Sequence, residues 1–265
     1  MKKCFLLTQF GTPHPWTQKF IDHVQFLGQY GWHFKIFTPN SYFFKTLGNV
    51  EIVPMTIEMF NALVERKLGI NPNMFITGVG VPSFHMTDFN VVLGAIFEGY
   101  IRDFDYWGCL GWDVVLGRLD HFIPDSELVK YDVWSDDVNI INGTFCLFRN
   151  NKEVNDLFKK ISSWKEKLVQ SPCPACTGSG SEHHLYGLDE YDFTNIMREY
   201  RSFGYPKYYP IHGHDRLQVH KIELKDDGSL WELNKDTPPE WIHKHDWFGR
   251  EIGYFHFMLK KTWPL

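Results

Sequence analysis

The sequence predicts an α/β fold in which a mostly parallel central sheet is flanked by helices. Two observations indicate this class: short apolar runs alternate with segments of helical periodicity, and hydrophobic residues make up 43% of the 265 positions. That length and apolar content suffice for a large buried core. Because no linker or internal repeat divides the chain, we expect a single domain over residues 1–265.

Strands and helices alternate in the first part of the chain. Apolar runs bounded by turn residues predict buried strands over 3–8, 33–38 and 49–55. Helical spacing of apolar residues predicts helices over 16–31, 56–69 and 85–101. The last helix leads into DYWGCLGWDVVLG at 105–117, where 112–116 is interpreted as a central strand or the start of one.

The second part of the chain is less regular. Two more strands are predicted over 130–135 and 141–150, and amphipathic helices over 151–170 and 189–204. Residues 171–182 are small, polar and interrupted by proline, so we expect a mobile loop there. From about residue 204 the chain is aromatic and rich in histidine, and we expect it to be irregular.

Composition and charge exclude several classes of protein. The net charge of -5 is spread over both signs without a basic patch, so no nucleic-acid duplex is expected as a partner. No run reaches the roughly 18 apolar residues of a membrane span, so we expect a cytoplasmic protein with at most peripheral membrane association. Five scattered cysteines do not suggest a disulfide framework. Cys173 and Cys176, followed by His183 and His184, form only part of a zinc site.

An ordered series of short motifs runs through the chain. It contains FGTPHPW near the start, TDF at 87–89, then DYWGCLGWDVVLGRLDHFIP, YDVWS, NGTFCLFRNNKEVNDLF and LDEYDF. The series resembles a family of bacterial and viral glycosyltransferases with the GT-A fold, in which the central stretch reads D-F-W-G-x-C-D-x-D-V-x-x-G-D-L. The resemblance covers most of the chain and implies one GT-A domain, with a nucleotide-sugar-binding half over 1–120 and an acceptor-side half over 121–265.

The resemblance implies transfer of a sugar from a nucleoside-diphosphate sugar, foremost a UDP-sugar, to a hydroxyl acceptor such as a glycan. In that family a D-x-D element holds Mn²⁺ or Mg²⁺, which neutralises the diphosphate leaving group. The second aspartate of D-x-D falls on Asp113 and the first on Gly111, which supplies no ligand. The ending YFHFMLKKTW resembles the H-F-x-G-x-x-K-P-W ending of retaining galactosyltransferases that build lipooligosaccharide, without its glycine and proline. That resemblance implies His256 as a second metal ligand and Lys261, or Lys260, as a diphosphate contact; the alternative for His256 is a half-buried histidine in a terminal strand.

Two acidic positions are expected near the acceptor and the nucleoside. Asp189 and Glu190 occupy the family's D-E pair, where a carboxylate takes the acceptor's proton in an inverting transfer or binds acceptor hydroxyls in a retaining one. The alternative is that they are helix N-terminal acids. Asp88 is either a helix N-cap or a nucleoside contact, and Asn90 stands where the family often has a basic residue.

The nucleoside pocket is expected between the ends of the first two strands, since ligands of open α/β sheets bind at strand carboxyl ends. Its predicted residues are Thr8, Phe10, Gly11 and Asn40, and Trp16 is an alternative stacking ring to Phe10.

Two alternatives to a metal-dependent enzyme stay open. Because Gly111 replaces an aspartate and Asn90 a basic residue, the chain also fits a catalytically inactive relative that acts as a binding or scaffold protein. The other alternative is an enzyme without a metal, in which cationic side chains neutralise the diphosphate: Lys260, Lys261 and Arg250.

Overall fold

The computed structural model of the chain describes residues 1–74, 86–135, 141, 143–169, 188–199, 203–204, 212–214, 221–233, 250–252 and 254–256. Thirteen strands lie in these ranges: β1 (Lys3–Thr8), β2 (Trp32–Thr38), β3 (Val50–Pro54), β4 (Tyr106–Leu110), β5 (Val114–Leu116), β6 (Val133–Ser135), β7 (Phe145–Arg149), β8 (Phe203–Gly204), β9 (His212–His214), β10 (Lys221–Leu224), β11 (Leu230–Leu233), β12 (Arg250–Ile252) and β13 (Tyr254–His256).

Seven of these strands form a central sheet in the order β3-β2-β1-β4-β7-β6-β8. The first four run parallel to one another, β7 is antiparallel to both β4 and β6, and β6 is parallel to β8. Helices flank the sheet, so the predicted α/β class with a mostly parallel sheet is confirmed. Two smaller sheets have the orders β10-β11-β12 and β5-β13-β9.

The helices described are mostly short. The α-helices are α1 (Thr17–His23), α2 (Ile57–Leu68), α3 (Leu93–Ile96), α4 (Glu98–Ile101), α5 (Leu119–Phe122), α6 (Asp125–Leu128), α7 (Lys152–Asn155), α8 (Trp164–Val169) and α9 (Thr194–Glu199). Segments of 3₁₀ helix span Val24–Tyr30, Ser41–Phe43, Met86–Val92 and Leu157–Lys160, and a π-helical turn spans Leu188–Phe193.

Both faces of the central sheet are buried. Along β1, Cys4 and Leu6 belong to one apolar cluster, whereas Phe5 and Leu7 belong to the cluster on the other face. All four side chains are at most 2% exposed. Because both layers are buried, residues 4–7 of the strand are all apolar instead of alternating with polar residues.

Helix α2 has the ends that its sequence predicts. The Thr56 hydroxyl accepts a hydrogen bond from the Met59 amide at 3.3 Å and caps the first turn. Gly69 ends the helix with φ +66°, a conformation that favours glycine.

The prediction of one continuous helix over 16–31 is wrong, because the segment changes to 3₁₀ geometry after His23. The Asn49 amide donates to the Val24 and Trp32 carbonyls at 3.0 and 2.9 Å, so it takes one of the acceptors that an α-helix would use. The segment ends at Gly31, with φ +78°.

The predicted helices over 85–101 and 151–170 are also interrupted. In the first, Gly94 packs so closely on Trp107 that an added Cβ would lie 2.3 Å from the indole. In the second, the buried Ile161 takes an extended backbone, with ψ 114°, and two serines follow it. Serine competes for backbone hydrogen bonds and so favours helix ends.

The interpretation of 112–116 as a central strand is wrong. The central strand is β4, which ends at Leu110, and the chain then bends and pairs β5 with β13 in a separate sheet. Residues after 204 are not irregular throughout, since five of the strands above, β9 to β13, lie there.

Candidate functional site

The order of the parallel strands creates a crevice between β1 and β4. From β1 the chain crosses to β2 on one side, and it later returns to β4 on the other side. A ligand crevice forms outside the carboxyl ends of such strands, where the order reverses. At those ends the indole N–H of Trp112 donates to the Thr8 carbonyl at 3.0 Å, so the segment after β4 is fastened to the end of β1.

Asp113 lies half-buried in the bend between β4 and β5, beside Gly111. An ideal Cβ on Gly111 would lie 2.9 Å from Asp113 Oδ1 and 3.3 Å from the Thr144 methyl carbon. The Gly111 amide donates to the Thr144 carbonyl at 2.9 Å, which fixes the bend to the start of β7. Glycine therefore leaves the space that the single carboxylate of Asp113 fills.

A histidine and two tryptophans form one wall beside Asp113. The Trp16 indole N–H donates to the Trp112 carbonyl at 2.6 Å, and the His14 ring stacks on Trp16 with centroids 4.9 Å apart. The His14 and Trp112 ring centroids are 6.0 Å apart. Burial lowers the pKa of the His14 imidazole, and the charge of Asp113 opposes that shift. The Trp16 ring, the predicted alternative to Phe10 for stacking on a nucleoside, stacks on the His14 imidazole.

The C-terminal strand β13 lies next to Asp113. Its residue His256 is paired with Val114, the residue that follows Asp113, and on its other side with His214 of β9. On the far side of β5, His23 Nε2–H donates to the Leu116 carbonyl at 2.7 Å and holds the strand against α1. The backbone thus places His256 beside Asp113, while the His256 side chain lies outside the described part.

The residues predicted for the nucleoside pocket come together only in part. Gly11 and Asn40 meet, because the Asn40 amide donates to the Gly11 carbonyl at 3.2 Å, whereas Thr8 is paired with Phe37 in the sheet and its carbonyl accepts from Trp112. Phe10 is only 3% exposed and packs against Phe60 with ring centroids 5.1 Å apart. The Phe10 ring therefore belongs to the core beneath the pocket.

Asp88 lies in a charged group with Lys167 and Asp192. It occupies the first turn of the 3₁₀ helix Met86–Val92, inside the helical segment, so the N-cap position predicted for it does not match. Burial raises the pKa of the Asp88 carboxyl to about 6, and Lys167 lowers it in part. Lys167 also forms an ion pair with Asp192. Asn90 donates to the Gly143 carbonyl at 3.1 Å.

Several predicted residues lie at the border of the described structure or beyond it. The backbone of Asp189 and Glu190 lies in the π-helical turn that packs against Met86–Val92, and their side chains are outside the described part. Lys260 and Lys261 lie outside the described residues altogether, as do the predicted mobile loop 171–182 and its cysteines, Cys173 and Cys176, with His183 and His184.

Among the side chains that the structure describes, no three His, Cys, Asp or Glu residues come together as a metal-binding group. Asp113 is the described carboxylate at the strand ends, and Gly111 adds no donor. In the same described ranges, no helix has the length and apolar character needed to cross a bilayer.

Sequence reasoning missed three side chains of this region: His14, Trp112 and Lys167. His14 stands in a turn between two prolines directly after a predicted strand, which is a signal for a position at a sheet edge. Trp112 lies within the motif itself. Lys167 is far from Asp88 in sequence, and nothing in the local pattern links the two.

A protein-family model described as Family of unknown function (DUF6625) matches residues 5–263 of the chain. No curated protein and no solved structure matches it at a significant level.

Proposed function

The chain belongs to the Family of unknown function (DUF6625), and we propose that it is a glycosyltransferase with a GT-A fold. It transfers a sugar from a nucleoside-diphosphate sugar, foremost a UDP-sugar, to a hydroxyl acceptor such as a glycan. The proposal combines the ordered motifs of the sequence with the position of one carboxylate in the fold.

The position of Asp113 at the strand switch point carries the proposal. It follows β4, whose carboxyl end adjoins that of β1, and Trp112 fastens the bend to Thr8 at 3.0 Å. A nucleoside bound across Thr8, Gly11 and Asn40 extends its diphosphate toward Asp113, because ligands of open α/β sheets cross the strand ends at this point.

The donor atoms near Asp113 fit a divalent cation in part. Asp113 supplies a hard carboxylate, and the backbone of His256 is paired with the next residue along, Val114. A bound Mn²⁺ or Mg²⁺ would supply charge neutralisation of the diphosphate leaving group. The protein's own part is to hold the diphosphate, and Lys260 and Lys261 are the candidate cations for that role.

The acceptor side is proposed around the π-helical turn Leu188–Phe193. This turn packs against the helix that carries Asp88, and Lys167 interacts with both Asp88 and Asp192. Carboxylates at Asp189 and Glu190 would either take the acceptor's proton or orient its hydroxyl groups. The two roles correspond to inversion and retention at the anomeric carbon.

Donor turnover tests the proposal directly. The purified protein is incubated with a panel of UDP-, GDP- and CMP-sugars and Mn²⁺, and release of the nucleotide is measured. Asp113→Asn is expected to lower kcat/KM by about 100-fold or more, because a cation clamp on a phosphoryl group contributes several kcal/mol. Asp103→Asn removes an exposed carboxylate elsewhere and is expected to leave turnover unchanged. Equal rates for the two variants would contradict the role of Asp113.

A second candidate function follows from Gly111. The absence of a carboxylate there favours a relative that binds a nucleotide sugar or glycan without turning it over. In that case a donor raises the melting temperature of the protein, since a ligand that binds only the folded state stabilises it, while no donor is consumed. Turnover of any donor above the Asp113→Asn background excludes this function.

A further inference from the structure

We propose that Cys109 and Cys146 form a redox-sensitive dithiol, which a peroxide oxidises to a disulfide between β4 and β7. The site lies in the strand that leads to the bend with Asp113. It does not depend on the proposed glycosyltransferase activity, since the reaction takes place between two side chains of the protein itself.

Cys109 and Cys146 lie directly opposite each other in the central sheet, where β4 and β7 pair in antiparallel register. Both side chains belong to the same apolar cluster, on one face of the sheet. They are 1% and 0% exposed, and they are present as thiols and not as a disulfide. Two thiols therefore lie side by side on neighbouring strands.

The hydrogen bonds of this ladder set the distance between the two residues. The Gly111 amide, two residues beyond Cys109, donates to the Thr144 carbonyl at 2.9 Å. Because hydrogen-bonded pairs recur at every second position of an antiparallel ladder, Cys109 and Cys146 form such a pair, with Cα atoms about 5.5 Å apart. A disulfide joins Cα atoms that are about 4.4–6.8 Å apart, so the two residues are within its reach.

The two thiols are buried close to the end of the ladder. The Cys109 thiol donates to the Asn90 carbonyl at 3.1 Å, and the half-buried Asn90 donates its side-chain amide to the Gly143 carbonyl, just before β7. Gly111 and Thr144, at the crevice end of the ladder, are half-buried too. Strand ends open locally more readily than strand centres, and such opening gives a small oxidant access to the thiols.

The reaction consumes one hydrogen peroxide per chain. The Cys109 thiolate attacks a peroxide oxygen, the O–O bond breaks, and a sulfenic acid forms, while the released hydroxide takes the thiol proton and becomes water. The Cys146 thiol then attacks the sulfenic sulfur, the S–O bond breaks, and a second water leaves with the remaining proton. Opposite Cβ atoms in a sheet lie slightly too far apart for a disulfide, so the bond is strained and easily reduced.

Oxidation of the full chain with hydrogen peroxide tests the site. The chain has five cysteines, so the variant carrying both Cys173→Ser and Cys176→Ser keeps three. We expect the thiol count, measured in denaturant after the peroxide is removed, to fall from three to one per chain, and dithiothreitol to restore it. Peptide mapping of the oxidised protein, in this variant and in the wild type, should link Cys109 to Cys146.

Cys4 is the internal control for this reaction. It lies in the same apolar cluster but is paired with Trp107, and burial raises the pKa of its thiol to about 12, so it should be the thiol that remains. A thiol count that stays at three, a disulfide that includes Cys4, or oxidation without a link between Cys109 and Cys146 overturns the proposal. Mapping of the wild-type chain makes the result independent of how the variant folds.

Discussion

At the scale of single residues, the relation between Gly111 and Asp113 decides what the site can hold. Asp113 Oδ1 lies 2.9 Å from the point where a Cβ on residue 111 would stand. The Asp113 carboxylate therefore occupies the space that a side chain at residue 111 would need. An aspartate at 111 would have to displace the Asp113 carboxylate.

The buried carboxyl of Asp88 should make the stability of the protein depend on pH. Burial raises the pKa of its carboxyl to about 6 from 3.8. As pH rises through that window, the unfolded chain releases the proton before the folded chain does, so wild-type stability falls. Relative to Asp88→Asn, which cannot ionise, the free energy of unfolding of the wild type should decrease by up to about 3 kcal/mol between pH 3.8 and 6.

Urea unfolding at a series of pH values measures this difference. Asp103→Asn removes an exposed carboxylate of the same type and controls for the general effect of charge. If the gap between the wild type and Asp88→Asn is the same at both ends of the window, the buried position of the Asp88 carboxyl is refuted.

At the scale of elements, the start of α1 is tied to the bend after β4. Trp16, the residue before α1, donates its indole N–H to the Trp112 carbonyl at 2.6 Å. This bond joins the two loops that form the crevice, and the Trp112 indole continues the link to Thr8. The orientation of Asp113 therefore depends on a tryptophan pair that contributes no ligand of its own.

Trp16→Phe tests that dependence. The ring remains, but the Trp112 carbonyl loses its donor, which should cost about 1–3 kcal/mol of stability. We also expect weaker use of the sugar donor, seen as a lower kcat/KM for nucleotide release. Trp164→Phe, whose ring meets Phe158 edge-on far along the chain, is the control and should keep donor turnover. A Trp16→Phe protein that equals the wild type in both stability and turnover would refute the link.

Strands β1, β2 and β3 could be predicted almost residue by residue, because apolar runs bounded by turn residues mark them, whereas β4 was missed in favour of 112–116. Helices were harder to predict, since a tertiary contact can interrupt them: the Asn49 amide takes the carbonyl of Val24. β5 could not be assigned to its sheet. In that sheet β5 pairs with β13, and β13 with β9, and both lie about a hundred residues or more further along the chain. A run of three apolar residues does not show which distant strand it pairs with.

At the scale of the whole molecule, the strand order explains why the site lies where it does. The order β3-β2-β1-β4 fixes the crevice between β1 and β4, and the small sheet brings the C-terminal strand back to the same place. The position of Asp113 in the site could be proposed from the motif and from the strand-end rule. The position of His14 could not, because its stack on Trp16 and the Trp16–Trp112 hydrogen bond join segments that are far apart in sequence.

The most direct test of the account is a crystal structure of the protein soaked with uridine diphosphate and Mn²⁺. The account predicts an anomalous Mn²⁺ peak bound to Asp113, with the nucleotide lying across the carboxyl ends of β1 and β4 and its diphosphate on the metal. A nucleotide bound elsewhere, or a metal peak away from Asp113, would contradict the central claim that this bend holds the sugar donor.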